Sequence, residues 1–439
     1  MATGITKNQW QEETTIISDE IFRGDLSYQI TYEGKTPEEE IIAQPVQQIY
    51  TSIFGKENDN KLFFGDNLDI LKLLIFQKKY KQKIKLIYID PPYATNSYFH
   101  CRNHKSSYKD DLIGSHFLEF MRKRLILLRE LLSDDGSIYV HLDNNMMCEI
   151  KVIMDEIFGA KNFRGLITRK KCSNKNYTKN SYGNISDYII YYAKTEKTIW
   201  HRATIAWTEE KIIKEYPCID AKTGKRYKKV PIHAPGIRNG ETGKQWRGMM
   251  PPQGKHWQYT PEKLDELDKN GEIYWSSNGN PRRKVFFDEN KGIPVQDIWL
   301  DVQDSLNQNI KITGYPTEKN HLLLERIIKA SSNEGDYILD CFAGSGTTLD
   351  MTQKLGRKWI GIDNSSEAIN HILKRFTYGL EEMGNFSKNN SVNNQEQLTI
   401  FTQEDVLKLH SSSNINFEFL TDERFYDLAI NFKNKYKII

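Results

Sequence analysis

The chain has 439 residues, with 61 Lys and Arg against 58 Asp and Glu for a net charge of +3, and 38% of its residues are hydrophobic. That length predicts two or three domains and enough chain for an ordinary core, which excludes a mini-protein held together by staples. No run approaches the roughly 18 apolar residues of a membrane span, Met1–Gln11 has no apolar leader, and the five cysteines are scattered without a C-x-x-C pair, so a cytoplasmic protein with free thiols is expected.

Residues 1–60 are polar, with an acidic cluster at Glu38, Glu39 and Glu40, and read as an N-terminal extension. From Lys61 the run KLFFGDNLDILKLL predicts a short strand, a turn, and a helix on Leu68, Leu71 and Leu74. A β-branched strand over 84–89 stops at Asp90-Pro91-Pro92-Tyr93, because neither proline can donate to a ladder. A helix over 112–132, an Asp134-Asp135-Gly136 turn, a strand over 137–143 and a helix over 146–158 complete the rhythm of a doubly wound parallel sheet.

Residues 161–300 lose that rhythm and read as an inserted domain. They are rich in Tyr, Trp, Asn and Gly, and 161–230 holds 17 Lys and Arg against 6 Asp and Glu, a net of +11. The α/β rhythm resumes with a helix over 321–331, a strand over 336–340, a glycine-rich turn, a helix over 347–355, a strand over 358–363 and a helix over 366–375. The segment 381–439 contains an Asn/Ser-rich stretch and reads as a linker and tail.

Two motifs carry chemistry. In Asp90-Pro91-Pro92-Tyr93 a carboxylate fixed at a strand end, a stiff backbone carbonyl and an aromatic ring are the groups needed to hold a planar amine: two acceptors for its N–H bonds and a face for its ring. In Asp340-Cys341-Phe342-Ala343-Gly344-Ser345-Gly346-Thr347-Thr348, glycines permit close approach of a ligand to backbone at a helix N-terminus. No Gly-Lys-Ser/Thr follows, and Asp340 favours a cationic ligand over a polyphosphate. Asp363 closes the next strand at the spacing where a carboxylate reaches ribose hydroxyls.

Together these motifs resemble the S-adenosylmethionine-dependent DNA amino-methyltransferases of the β class, in which the catalytic motif precedes the glycine-rich one. The layout is most similar to the Mod subunits of type III restriction-modification systems. Gly65-Asp66-Asn67-Leu68, Asp135-Gly136-Ser137-Ile138, Asp155-Glu156-Ile157-Phe158-Gly159 and Tyr315-Pro316-Thr317-Glu318-Lys319 look like family segments in family order. The resemblance implies a Rossmann-like doubly wound, mostly parallel α/β sheet with motif-permuted order and an inserted basic target-recognition domain. It divides the chain into a catalytic half (61–160), the insert (161–300) and a cofactor-binding half (301–380).

It also implies site-specific methylation of adenine N6 in double-stranded DNA by base flipping, with S-adenosylmethionine as cofactor; cytosine N4 or a non-catalytic recognition subunit are the alternatives. Asp90, Pro91, Pro92 and Tyr93 would hold the base; Asp340, Phe342, Gly344, Gly346, Thr347, Asp363, Asp66 and Lys319 would line the cofactor pocket. A homodimer and a restriction endonuclease subunit are implied partners, and no metal. Ala94-Thr95-Asn96 and Asn320 depart from the family pattern.

The basic insert is expected to hold DNA phosphates, through Arg169, Lys170, Lys171, Lys225, Arg226, Lys228, Lys229, Arg282 and Arg283. Trp246, Trp257, Tyr259 and Trp275 suit either base stacking or the insert's own core. His100, Cys101 and His104 lack a fourth ligand for zinc, and His141 reads as a hydrogen-bonded histidine rather than a base.

Overall fold

The computed structural model describes residues 29–46, 48–55, 58–77, 79–92, 114–172, 180–304, 319–379 and 416–438. In chain order it contains α1 (Glu38–Ala43), β1 (Tyr50–Phe54), β2 (Lys61–Phe64), α2 (Asn67–Phe76), β3 (Ile84–Ile89), α3 (Ser115–Leu131), β4 (Leu132–Leu142), α4 (Met147–Phe158), β5 (Phe163–Lys170) and β6 (Ser186–Ala193). There follow β7 (Thr204–Ile205), α5 (Glu209–Glu215), β8 (Cys218–Ile219), β9 (Arg226–Pro231), β10 (His233–Pro235), β11 (Lys255–Trp257), α6 (Pro261–Lys269), β12 (Ile273–Trp275), β13 (Pro281–Phe286) and β14 (Ile293–Pro294). The chain closes with β15 (Ile298–Trp299), α7 (His321–Ser331), β16 (Tyr337–Asp340), α8 (Thr347–Lys354), β17 (Lys358–Asp363), α9 (Ser366–Tyr378), β18 (Glu418–Asp422) and α10 (Tyr426–Lys435).

The chain forms two compact units, one from Met1–Ala203 with Gln296–Ile439 and one from Thr204–Val295. The first is built on a ten-stranded sheet in the order β1-β18-β2-β17-β16-β3-β4-β6-β5-β15. Its centre, from β18 to β4, is parallel. Parallel strands covered on both faces need apolar side chains in both directions, and the period-2 alternation supplies them. Phe63 enters one core with Ile87, Ile89, Leu125 and Ile153, while Leu62 and Phe64 enter another with Trp359, Ile372 and Phe432.

Three findings redraw the expected boundaries. Strands β5 and β6 extend the central sheet: β4 pairs antiparallel with β6, and β6 with β5. The second compact unit therefore begins at 204, not 161. The chain ends also join the sheet, because β1 and β18 pair antiparallel at its edge, and β18 runs parallel beside β2. The expected Asp134-Asp135-Gly136 turn lies inside β4 as a register shift, with Ile84 opposite Leu132 and Leu86 opposite Ser137. Gly136 fits there because a Cβ would sit 2.9 Å from the Ile84 carbonyl oxygen.

The second unit contains a four-stranded sheet, β12-β13-β9-β8, and two two-stranded ribbons. Trp246, Trp257, Leu264, Leu267 and Ile273 form its core, with Tyr259 and Trp275 packed against them. The aromatic set is thus this unit's own core, with Trp246 and Trp275 stacked at 5.4 Å between centroids. Among the described residues no helix is long and apolar enough to cross a membrane.

Candidate active site

Four neighbouring strands, β2, β17, β16 and β3, run parallel and finish on one edge of the sheet. Each brings an aspartate there: Asp66 just past β2, Asp363 and Asp340 as the last residues of β17 and β16, and Asp90 directly after β3. The carboxyl edge is where open α/β sheets bind ligands. Gathering acids in a water-poor place disfavours the charged form. Burial, with added repulsion from Asp90 and Asp363, pushes Asp340 up to about 7 against hydrogen bonds from Thr348 and the Phe342 N–H that oppose it. Burial likewise pushes Asp363 up to about 6.

Lys319, predicted in the cofactor pocket, places its Nζ 3.0 Å from Asp90 Oδ2. Burial would lower the ammonium's pKa, but the Asp90 carboxylate more than offsets it, so Lys319 holds its proton more firmly than an ordinary lysine. The pair lies at the end of β3, where a catalytic role is expected. Asp66 caps α2, its Oδ1 accepting from the Leu68 N–H at 2.7 Å, a contact worth about 1 kcal/mol.

The glycine-rich turn is fastened from two sides. Gly344 and Gly346 have φ of 50° and 75°, a region where side chains cost energy. Asp363 accepts the Gly344 N–H on Oδ2 and the Ser365 N–H on Oδ1, both at 2.8 Å. The carboxylate expected to reach a ribose thus also anchors the turn. From α9, Arg375 donates to the Ser345 carbonyl at 2.9 Å and to Thr347 Oγ1 at 3.1 Å. From α3, Arg124 donates to Asn67 Oδ1 at 2.6 Å, and Asn67 in turn donates to the Cys341 carbonyl at 2.7 Å. Its guanidinium lies 3.5 Å from the centre of the Phe120 ring, which packs 6.0 Å from Phe342. Sequence reasoning missed both arginines. Their signal was present as cations at core-facing positions of amphipathic helices, where an unpaired charge would be too costly to bury.

Next to the strand that leads into Asp90 lies a buried polar chain. Tyr88, two residues before Asp90, hydrogen-bonds His141 Nδ1 at 2.7 Å, and His141 Nε2 lies 2.9 Å from Asp187 Oδ2. Asp187 is gripped by Arg169 through Nε at 2.8 Å and Nη2 at 2.6 Å, and Arg169 also reaches Asp304 at 2.7 Å. Burial lowers the His141 pKa and so favours its neutral form. Burial would raise Asp187, but His141 and Arg169 hold it well below the usual carboxylate range.

Arg169 corrects the expectation that it contacts DNA. On β5 it points inward and is fully buried among its partners, and removing either member of such a pair costs about 3–5 kcal/mol. Lys170 and Lys171 next to it are partly exposed. Tyr93, Ala94-Thr95-Asn96, His100, Cys101 and His104 fall outside the described residues.

In the second unit Lys225 and Arg282 are exposed. Arg226 donates to the Tyr216 carbonyl at 3.5 Å, Lys228 lies 3.4 Å from Glu215, and Lys229 sits 3.5 Å above the Tyr274 ring. Arg283 donates to the Tyr259 hydroxyl and pairs with Glu272 at 3.5 Å.

A family model described as DNA methylase, of the N6/N4 methyltransferase type, matches residues 84–375. The chain is 47% identical over 394 residues to the type II methyltransferase M.EcaI of Enterobacter cloacae, covering 88% of this chain and 86% of that one. It is 30% identical over 349 residues to the StyLTI Mod subunit, a type III restriction-modification enzyme of Salmonella typhimurium, covering 70% of this chain and 52% of the subunit. The chain thus spans most of the first relative and about half of the second. Among solved structures, the PvuII DNA methyltransferase, described as cytosine-N4-specific, aligns at 16% identity with a TM-score of 0.38, covering 74% of this chain and 90% of that one.

Proposed function

This chain belongs to the N6/N4 family of DNA methylases, and from that membership we propose that it methylates adenine N6 at specific sites in duplex DNA, using S-adenosylmethionine, within a restriction-modification system. The observation that carries the reading is the convergence of Asp90 and Pro91 with Asp340, the glycine-rich turn and Asp363 on one edge of one sheet. The restriction-modification setting is supported by the likeness to the StyLTI Mod subunit.

The residues present fit the cofactor. Asp340 is a buried carboxyl without a cationic partner among the described residues, which suits a ligand's ammonium group. Gly344 and Gly346 let a ligand approach the backbone, Phe342 offers an apolar wall, and Asp66, Thr347 and Asp363 offer polar contacts around it. The cofactor supplies an electrophilic methyl group.

The chain's own part is to present a nucleophile. A paired adenine must leave the stack, at a cost of a few kcal/mol. Asp90 and the Pro91 carbonyl would accept the two N6 hydrogens. Both then lie out of conjugation with the ring, and the nitrogen lone pair points toward the cofactor side. Lys319, 3.0 Å from Asp90 Oδ2, would help hold the carboxylate in place before the reaction. An aspartate heading this tetrad is the family form that accompanies adenine, and it supports N6 over cytosine N4.

Asp90→Ala tests the assignment. Methyl transfer to DNA should fall on the order of 10²–10³-fold, as when one hydrogen-bonding group of a preorganised site is removed. Cofactor affinity by calorimetry should stay within a few-fold. Transfer near the wild-type rate would remove Asp90 from the mechanism.

A further inference from the structure

The second unit carries 17 Lys and Arg against 12 Asp and Glu, a net of +5 that understates how unevenly the charges are placed. Strand alternation sorts them. Arg283 on β13 lies opposite Ile273 on β12, and Ile273 points into the core formed with Leu264 and Leu267 of α6. On this covered side lie four acids of α6: Glu262, Asp265, Glu266 and Asp268. Asp265 accepts from the Trp246 indole at 3.0 Å, and Asp268 from the Trp275 indole at 2.8 Å.

The alternate positions make the other face: Tyr227 and Lys229 on β9, Arg282 and Lys284 on β13, and Tyr274 on β12. Lys229 stands directly opposite Lys284, and Arg282 opposite Tyr274. Like charges directly across a ladder are unfavourable, so two lysines at one rung need a reason or an answer. Lys284 is partly answered by Asp220 at 2.6 Å. Lys229 and Arg282 have no carboxylate partner among the described residues. The lysines are held by rings instead: Lys229 lies 3.5 Å from the centre of Tyr274, and Lys284 lies 5.3 Å from that of Tyr227. The field extends past the sheet, since burial and then Lys255 and Arg282 lower the pKa of His233.

We infer that this cationic and aromatic face of the β12-β13-β9-β8 sheet is the surface on which the second unit holds the phosphate backbone of duplex DNA; the inference rests on the chain being a DNA methylase. A polyanion relieves the Lys229/Lys284 repulsion, and phosphates supply the acceptors that Lys229 and Arg282 lack within the chain. The sequence cluster from Lys225 to Lys229 is thereby divided. Lys229 belongs to the binding face, whereas Arg226 and Lys228 alternate to the side where they meet Tyr216 and Glu215.

The test is equilibrium binding of the full-length protein to a fluorescent duplex over a series of salt concentrations. Wild-type protein is compared with Lys229→Glu/Arg282→Glu and with Lys263→Glu/Lys269→Glu, an equal charge reversal on α6. Each phosphate contact contributes about 0.9 to the slope of log affinity against log salt. The first double variant should lose about 2 from the slope and roughly tenfold or more in affinity, with cofactor binding unchanged and a cooperative melting transition retained. The α6 variant should keep the wild-type slope. A neutral pair, Lys229→Gln/Arg282→Gln, should also lose about 2 from the slope, with a smaller loss of affinity. An unchanged slope in the first variant, or an equal loss in the α6 variant, overturns the surface. Methyl transfer to DNA by wild-type protein, measured on the same preparation, separates the two layers. Transfer with unchanged slopes sinks the surface and leaves the methylase reading standing, whereas absence of transfer sinks both.

Discussion

Asp340 holds a proton up to about pH 7 because burial and the neighbouring acids make its charged form expensive. Its folded pKa lies above the ordinary 3.8, so its contribution to stability is complete below about pH 4 and is lost as pH rises through about 7. A bound ammonium group reverses that balance, since it favours the carboxylate. S-adenosylmethionine should therefore raise the melting temperature more at pH 8 than at pH 5.5. Melting curves with and without cofactor at both values decide the point, and an equal or smaller stabilisation at pH 8 would contradict Asp340 as the ammonium's partner. Arg169 shows the opposite lesson about charge. Three consecutive basic residues, Arg169-Lys170-Lys171, read in sequence as a cluster for DNA phosphates. The pleat of β5 turns the first of them inward, and only the partner 18 positions later, Asp187, reveals that a bidentate ion pair consumes it.

At the scale of elements, the glycine-rich turn makes the sharpest demand on sequence. Gly346 begins α8 in a left-handed conformation, φ 75°, and a Cβ there would come 2.9 Å from Ile372 on α9. Gly346→Ala should cost roughly 1–2 kcal/mol in backbone strain and also displace the turn, so cofactor affinity should fall. Gly335→Ala is the control, because its φ is 81° but nothing lies within 4 Å of its Cβ position. Both variants should melt lower, and only Gly346→Ala should weaken cofactor binding by calorimetry. Equal affinities would mean that the turn does not shape the pocket. The central elements were legible in sequence for a simple reason: doubly covered strands such as IKLIYI are continuous apolar runs bounded by breakers, and α7, β17 and α9 repeat a clear period. The edge was not. β1 pairs with a strand more than 360 residues later, and neither polar, short strand advertises its partner.

At the scale of the whole molecule, composition marked the basic segment but misplaced its border. Strands β5 and β6 are as rich in Tyr, Lys and Arg as the unit that follows, yet they extend the central sheet, with Tyr139 and Tyr191 stacked at 4.3 Å across the junction of β4 and β6. The candidate active-site edge was legible because a Pro-Pro pair and a Gly-x-Gly turn each mark a strand end. That four aspartates share one edge depends on the strand order β2-β17-β16-β3, which crosses the insert and is invisible to local pattern. The clamps from Arg124 and Arg375 are likewise invisible to local pattern, since each reaches a turn that lies tens of residues away, and the bond from Asn67 to the Cys341 carbonyl crosses the insert.

On the reading proposed above, this edge presents adenine N6 to a methyl donor. The most direct measurement is mass analysis of nucleosides from duplex DNA incubated with the purified chain and isotopically labelled S-adenosylmethionine. Label is expected in N6-methyladenine alone; label in N4-methylcytosine, or in no nucleoside, would contradict adenine N6 as the target.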